Sequence, residues 1–136
     1  MINFSTEGIT SPLSMQISVL NSSQRFYSPR YWKAEWSEVD SMDPAMDDQW
    51  HPIGEYTVPD ISQWTGTLFS SVVGYKAINL DLPEELLGKK SVYVRLMPRS
   101  NECSSGGDYT DAIITNDEDG DKHASSIDYI AIRYNK

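Results

Sequence analysis

The chain is short of three things, and each shortage removes a class of function. Cysteine occurs once, at Cys103, which excludes an intrachain disulfide and a Cys-rich zinc site. Basic residues are scarce: 11 Lys and Arg stand against 20 Asp and Glu, a formal charge of −9. A nucleic-acid binder needs a basic stripe to displace counterions from phosphate, and an anionic membrane surface makes a similar demand. Neither partner is expected. Long apolar runs are missing as well. The longest is the four residues from Tyr129 to Ile132, too short to cross a bilayer as a helix, so no membrane insertion is expected. The opening Met1-Ile2-Asn3-Phe4-Ser5 has neither the charged nor the apolar region of an export signal.

What is present is alternation. In Leu13-Ser14-Met15-Gln16-Ile17-Ser18-Val19 the apolar residues fall at every second position, the pattern of a strand with one face buried. Residues 31–37 set Trp32, Ala34 and Trp36 against Lys33 and Glu35. Further strands are predicted from Ile53 to Val58, around Ile78, Leu80 and Leu82, around Val92, Val94 and Leu96, and from Ile127 to Tyr134. One helical signal occurs, Pro83-Glu84-Glu85-Leu86-Leu87-Gly88, with proline in the first turn, acids near the start and glycine at the end. It is long enough for a single turn. The expected architecture is all-β: one antiparallel β-sandwich over 1–136, with at most one short helical turn. A chain of 136 residues can bury a core of its own without staples. Trp32, Trp36, Leu80, Leu82, Val92, Val94, Leu96, Ile130 and Ile132 are its expected members.

Three connections are long: an acidic loop at 39–50, a Ser/Thr/Gly-rich excursion at 59–75 around Trp64 and Phe69, and the stretch 98–126, with a short strand expected at Ala112-Ile113-Ile114. Long loops on a β-scaffold are where binding chemistry usually sits.

Three segments carry a family resemblance. They are Tyr31-Trp32-Lys33-Ala34-Glu35-Trp36-Ser37 followed by Trp50-His51-Pro52-Ile53-Gly54-Glu55-Tyr56-Thr57-Val58; Leu82-Pro83-Glu84-Glu85-Leu86-Leu87-Gly88-Lys89 before Val92-Tyr93-Val94-Arg95-Leu96; and the closing Ile127-Asp128-Tyr129-Ile130-Ala131-Ile132. Together they resemble the galactose-binding-like and MAM-like jelly-roll domains appended to extracellular proteins of polysaccharide-using Bacteroides-type bacteria. The resemblance covers the chain from about Tyr31 onward and departs from the pattern at the lengthened turn around Asp40 to Asp48. It implies a jelly-roll sandwich, an extracellular or cell-surface setting with the export signal absent from this chain, and membership in a larger exported protein. Its motifs encode strands and turns, so they speak to fold and not to a ligand.

Candidate chemistry lies in the loops. Asp117-Glu118-Asp119-Gly120-Asp121 offers hard oxygens around a glycine turn, and calcium at Asp117, Asp119 and Asp121 is the one cofactor candidate. The spacing fails as an EF-hand, and the competing reading is a solvated turn. Asp40, Asp43, Asp47 and Asp48 are expected to solvate the 39–50 loop. From residue 35 to residue 74 there are eight acids and no Lys or Arg, a charge pattern that suits a neutral glycan or a cation.

Aromatics are plentiful, with four Trp, eight Tyr and three Phe, and sugar rings present C–H faces that stack on them. Trp64 and Tyr109 lie in polar, Gly-containing loops, so a ligand surface is expected at Trp64, Tyr75, Arg99, Asp108 and Tyr109. Core-edge packing of the rings, and pairing of Arg95 and Arg99 with acids such as Glu102, are the competing readings. His51 and His123 have no nucleophile at a recognisable spacing, and no phosphate loop or nucleophile elbow occurs. The expectation is a monomeric, non-catalytic carbohydrate-binding or surface-recognition module. A structural spacer is the alternative, and a small glycan hydrolase comes third.

Overall fold

The computed structural model describes residues 1–22, 29–58, 66–68, 73–100, 102 and 126–134. Among the described residues eight strands form in chain order: β1 (Ile2–Phe4), β2 (Leu13–Ser22), β3 (Tyr31–Ser37), β4 (His51–Thr57), β5 (Gly66–Leu68), β6 (Val73–Asp81), β7 (Val92–Pro98) and β8 (Ser126–Tyr134). They pair antiparallel into two four-stranded sheets, ordered β1-β7-β3-β4 and β5-β6-β2-β8. The protein is an all-β sandwich, as the alternation requires.

Period two decides what each sheet hides. On β2 the odd residues Leu13, Met15, Ile17 and Val19 are buried, and on β7 Val92 and Val94 are. Ala34 and Trp36 of β3 and Tyr56 of β4 join them. Ile78 and Leu80 of β6 and Ile130 and Ile132 of β8, the neighbours of β2 in its sheet, pack against that cluster. All nine residues expected in the core lie in it or against it. Burying a side chain of this size contributes about 1.5–3 kcal/mol. Trp32 and Tyr56, directly paired across β3 and β4, stack at 6.1 Å with their rings 3° from parallel. Burial pushes the Tyr56 phenol above its ordinary value of 10.0. The two sheets face each other where β4 meets β6. A Cβ on Gly54 would stand 3.3 Å from Leu80 Cδ2, a close approach that a side chain there would crowd.

The helical turn read at 83–88 is a 3-10 turn over Glu84–Leu86. A second 3-10 segment, Pro44–Gln49, adds to the reading of 39–50 as an acidic loop. The cause is local: Asp43 accepts a hydrogen bond from the Ala45 amide and Pro44 stands at the first position. β1 and β5, three residues each, are too short to show a period. The strand expected at 112–114 lies outside the described residues.

Candidate functional site

Two places in the described structure bring an indole, a cation and carboxylates together. The first is on the outer face of the β1-β7-β3-β4 sheet. Glu35 and Arg95 are direct partners across β3 and β7. Arg95 Nε donates to Glu35 Oε2 at 2.8 Å, and Arg95 Nη1 to Asp47 Oδ1 at 2.9 Å. The guanidinium carbon lies 4.4 Å from the Trp50 ring centroid, a cation–π contact. Lys33 Nζ reaches the other Glu35 oxygen at 2.8 Å. Arg95 is 4% exposed and Trp50 6%. The Pro44–Gln49 segment folds over the sheet and seals this group, with Trp50 Nε1 donating to the Ser41 carbonyl. Burial alone would raise the Glu35 carboxyl. The hydrogen bonds from Lys33 and Arg95, with their charges, outweigh it and hold the carboxyl below its usual range.

The acidic run therefore does more than solvate a loop: Asp47 neutralises a buried arginine and Asp43 caps the turn that carries it. Glu102 is not the partner of Arg95 or Arg99. It pairs with Arg30 at 2.7 Å, while Arg99 pairs with Glu55 at 2.8 Å on the surface.

The second place is a cleft of about 600 Å³ at one end of the sandwich, lined by Trp36 of β3 and Glu38 just after it, His51 and Pro52 of β4, and Pro83, Glu85 and Lys89 of the connection between β6 and β7. Each wall has a cause in the sequence. The register between β3 and β4 slips between Ala34 and Glu35. Ala34 faces Gly54, but Trp36 faces His51 instead of Pro52. That single extra residue brings His51 onto the indole, with ring centroids 5.0 Å apart and a tilt of 46°, the re-aiming a β-bulge produces. β4 is an edge strand, where Pro52 is tolerated.

The opposite wall is clamped by Thr6. Its amide donates to the Lys89 carbonyl at 2.9 Å, its carbonyl accepts from the Gly88 amide at 3.1 Å, and its buried hydroxyl accepts from the Lys89 amide at 2.9 Å. Gly88, at φ +72°, makes the turn possible, and Leu86, with no exposed surface, anchors it in the core.

Charge and hydrogen bonding in the cleft are incomplete in a specific way. Lys89 Nζ sits 2.7 Å from Glu38 Oε1, a pair that cancels itself. Glu85 is exposed and has no partner among the described residues. Trp32 Nε1 donates to the Pro29 carbonyl and Trp50 Nε1 to the Ser41 carbonyl. Trp36, 6% exposed, has no acceptor for its indole N–H among the described residues. A buried indole N–H normally finds one.

Of the ligand surface expected from sequence, Trp64, Asp108 and Tyr109 lie outside the described residues, as do Asp117, Asp119 and Asp121. Among the described residues no group of three or more His, Cys, Asp or Glu could hold a metal. Tyr75 lies on β6 opposite Leu20 and Gly66. Arg99 follows β7, its amide bonded to the Tyr31 carbonyl at the start of β3. Both stand at the end of the sandwich away from the cleft, which opens at the end of β3. A seven-residue strand separates the two ends, roughly 20 Å.

None of the cleft residues was a predicted ligand-binding position. Trp36 belongs to the core, as its alternation says, and its rim is also a cleft wall. His51 has no nucleophile at a recognisable spacing, which bears on catalysis and not on binding. The signal that could have found it is Pro52 inside a strand pattern, which marks an edge or a bulge. Among the described residues no helix is long and apolar enough to cross a membrane. No family model, curated protein or solved structure matches the chain.

Proposed function

We propose that this protein is a non-catalytic recognition module that binds a non-acidic glycan in the cleft at the end of the sandwich. The observation that carries the reading is Trp36, 6% exposed and on the wall of an open cleft, with no acceptor for its indole N–H among the described residues. A sugar hydroxyl is the acceptor it lacks. The His51 ring and the rings of Pro52 and Pro83 offer apolar surface to the C–H face of a pyranose, and Glu85 accepts from its hydroxyls. The absence of Lys and Arg from residue 35 to residue 74 disfavours an acidic polysaccharide.

Binding without hydrolysis fits the carboxylates. A glycosidase needs two, placed on either side of the scissile bond, whereas Glu38 is occupied by Lys89, leaving Glu85. The jelly-roll kinship and the extracellular or cell-surface setting belong to this proposal, since they rest on the sequence resemblance.

The test is a glycan array at high protein concentration, followed by titration calorimetry with the neutral oligosaccharides that respond. Binding that weakens in His51→Ala and survives Arg99→Ala supports the cleft. Loss in Arg99→Ala alone would move the site to the opposite end of the sandwich. Silence on the array and in calorimetry would make the protein a spacer, and release of reducing sugar would make it an enzyme.

A further inference from the structure

We infer that the ligand of the cleft carries a free, protonated amino group, so that the site takes an amino sugar in preference to its acetylated counterpart. This rests on the glycan reading above and adds the charge of the ligand.

The argument is one of charge left over. Four lining groups can be charged: Glu38, Glu85, Lys89 and His51. Lys89 and Glu38 neutralise each other at 2.7 Å, and His51 lies against the Trp36 ring with no described hydrogen bond to Glu85. Glu85 remains, a carboxylate with no cation bonded to it among the described residues. Its neighbour Glu84 is exposed on the same 3-10 turn and does not line the cleft. Lys90 is exposed and does not line the cleft. The cleft is therefore net negative at its mouth, in a chain whose formal charge is −9.

Such a site recruits cations and holds them beside a carboxylate better than bulk water does. An ammonium donating to Glu85 makes a charge-assisted hydrogen bond, roughly twice as strong as one from a neutral hydroxyl or amide. The Trp36 N–H supplies the complementary donor. The ligand that satisfies both must offer an acceptor and an ammonium on one rigid, partly apolar body. A hexosamine ring does so with a hydroxyl and an amino group. An N-acetyl group at the same position removes the charge and adds bulk.

Short oligomers of glucosamine and of N-acetylglucosamine, equal in length, test this by titration calorimetry at a pH where the amine is protonated. The glucosamine oligomer should bind about threefold to tenfold more tightly. Glu85→Gln, which keeps an oxygen to accept from a hydroxyl and loses the charge, should erase that difference. Thermal melting of the variant confirms that it folds, because Glu85 lies on the surface and no described residue depends on its carboxylate. Equal affinity for the two oligomers in the native protein overturns the inference and leaves the glycan reading intact. A preference that survives Glu85→Gln overturns it also, as does equal binding of a lysine oligomer of the same charge, which would show attraction without a sugar site. If neither sugar binds, the inference falls, and the glycan array decides the glycan reading separately.

Discussion

The sealed group around Arg95 and the open cleft around Trp36 are built from nearly the same parts and differ in what is left unsatisfied. In the first, an arginine is bracketed by two carboxylates at 2.8 and 2.9 Å and covered by an indole at 4.4 Å. That indole has its own acceptor in the Ser41 carbonyl. In the second, the indole N–H and the Glu85 carboxylate have no described partner. The difference follows from the cation. Arginine presents five donors in a fixed fork and can serve several acceptors at once. Lys89, a point charge on a flexible stem, binds Glu38 and leaves the rest open. A satisfied polar group fixes structure, and an unsatisfied one at a cleft is free to bind.

Removing one partner from the sealed group should produce the largest effect. Glu35→Leu leaves Arg95 buried with only the exposed Asp47 against it, and breaking a buried pair costs about 3–5 kcal/mol. Urea unfolding should show that loss, and Glu35→Leu with Arg95→Met should recover most of it, because two apolar groups leave no stranded charge. A single-variant loss under 1 kcal/mol would mean the group is not sealed, and the contrast with the cleft would collapse.

Acid should probe the same group. Glu35 has its carboxyl held below the ordinary value of 4.5 in the folded protein. A group lowered in this way contributes stability that is present above the unfolded pKa and is lost as pH falls through the folded one. Stability should therefore decline below about pH 4.5, and Glu35→Gln should decline less steeply over that window. Identical slopes in urea unfolding across pH would sink the assignment.

A smaller effect is expected at Asp47, whose side chain is 58% exposed. Asp47→Asn keeps an oxygen for Arg95 Nη1 and loses the charge, which for an exposed partner is worth about 1 kcal/mol or less. A loss as large as that of Glu35→Leu would show that the Pro44–Gln49 segment undocks when the pair is broken.

The two regions were not equally legible in the sequence. The sandwich was, because burial on one face of a strand imposes period two, and Met15, Ile17, Trp36, Val92 and Val94 obey it. The sealed group was half legible. Glu35 and Arg95 sit at outward positions of strands correctly read, but their pairing depends on β3 lying beside β7, a register that no local pattern encodes. The 39–50 loop carried its capping signal in Asp43 and Pro44, beneath a run of acids that reads first as solvation. The cleft was the least legible. It depends on a one-residue slip between β3 and β4 and on a contact between Thr6 and Lys89, which are 83 residues apart.

The smallest stability effect belongs to the cleft, and it is the most diagnostic. His51 is exposed, stands on the Trp36 ring at 5.0 Å and forms no described hydrogen bond through its side chain. Truncating an exposed residue away from caps and networks usually changes stability by about 0.5 kcal/mol or less. His51→Ala should therefore melt with the native protein. An aromatic contact is worth about 0.5–1.5 kcal/mol, so an oligosaccharide that stacks on the imidazole should lose affinity by roughly threefold to tenfold. The same variant thus separates two roles for one ring. If His51 is a lid on Trp36 that only completes the core, melting falls and any loss of affinity follows from that. If it is a wall of the binding site, affinity falls alone, and Trp36 fluorescence should still respond to saturating ligand. A variant that melts early and binds normally would turn the cleft into an ordinary gap at the end of a sandwich.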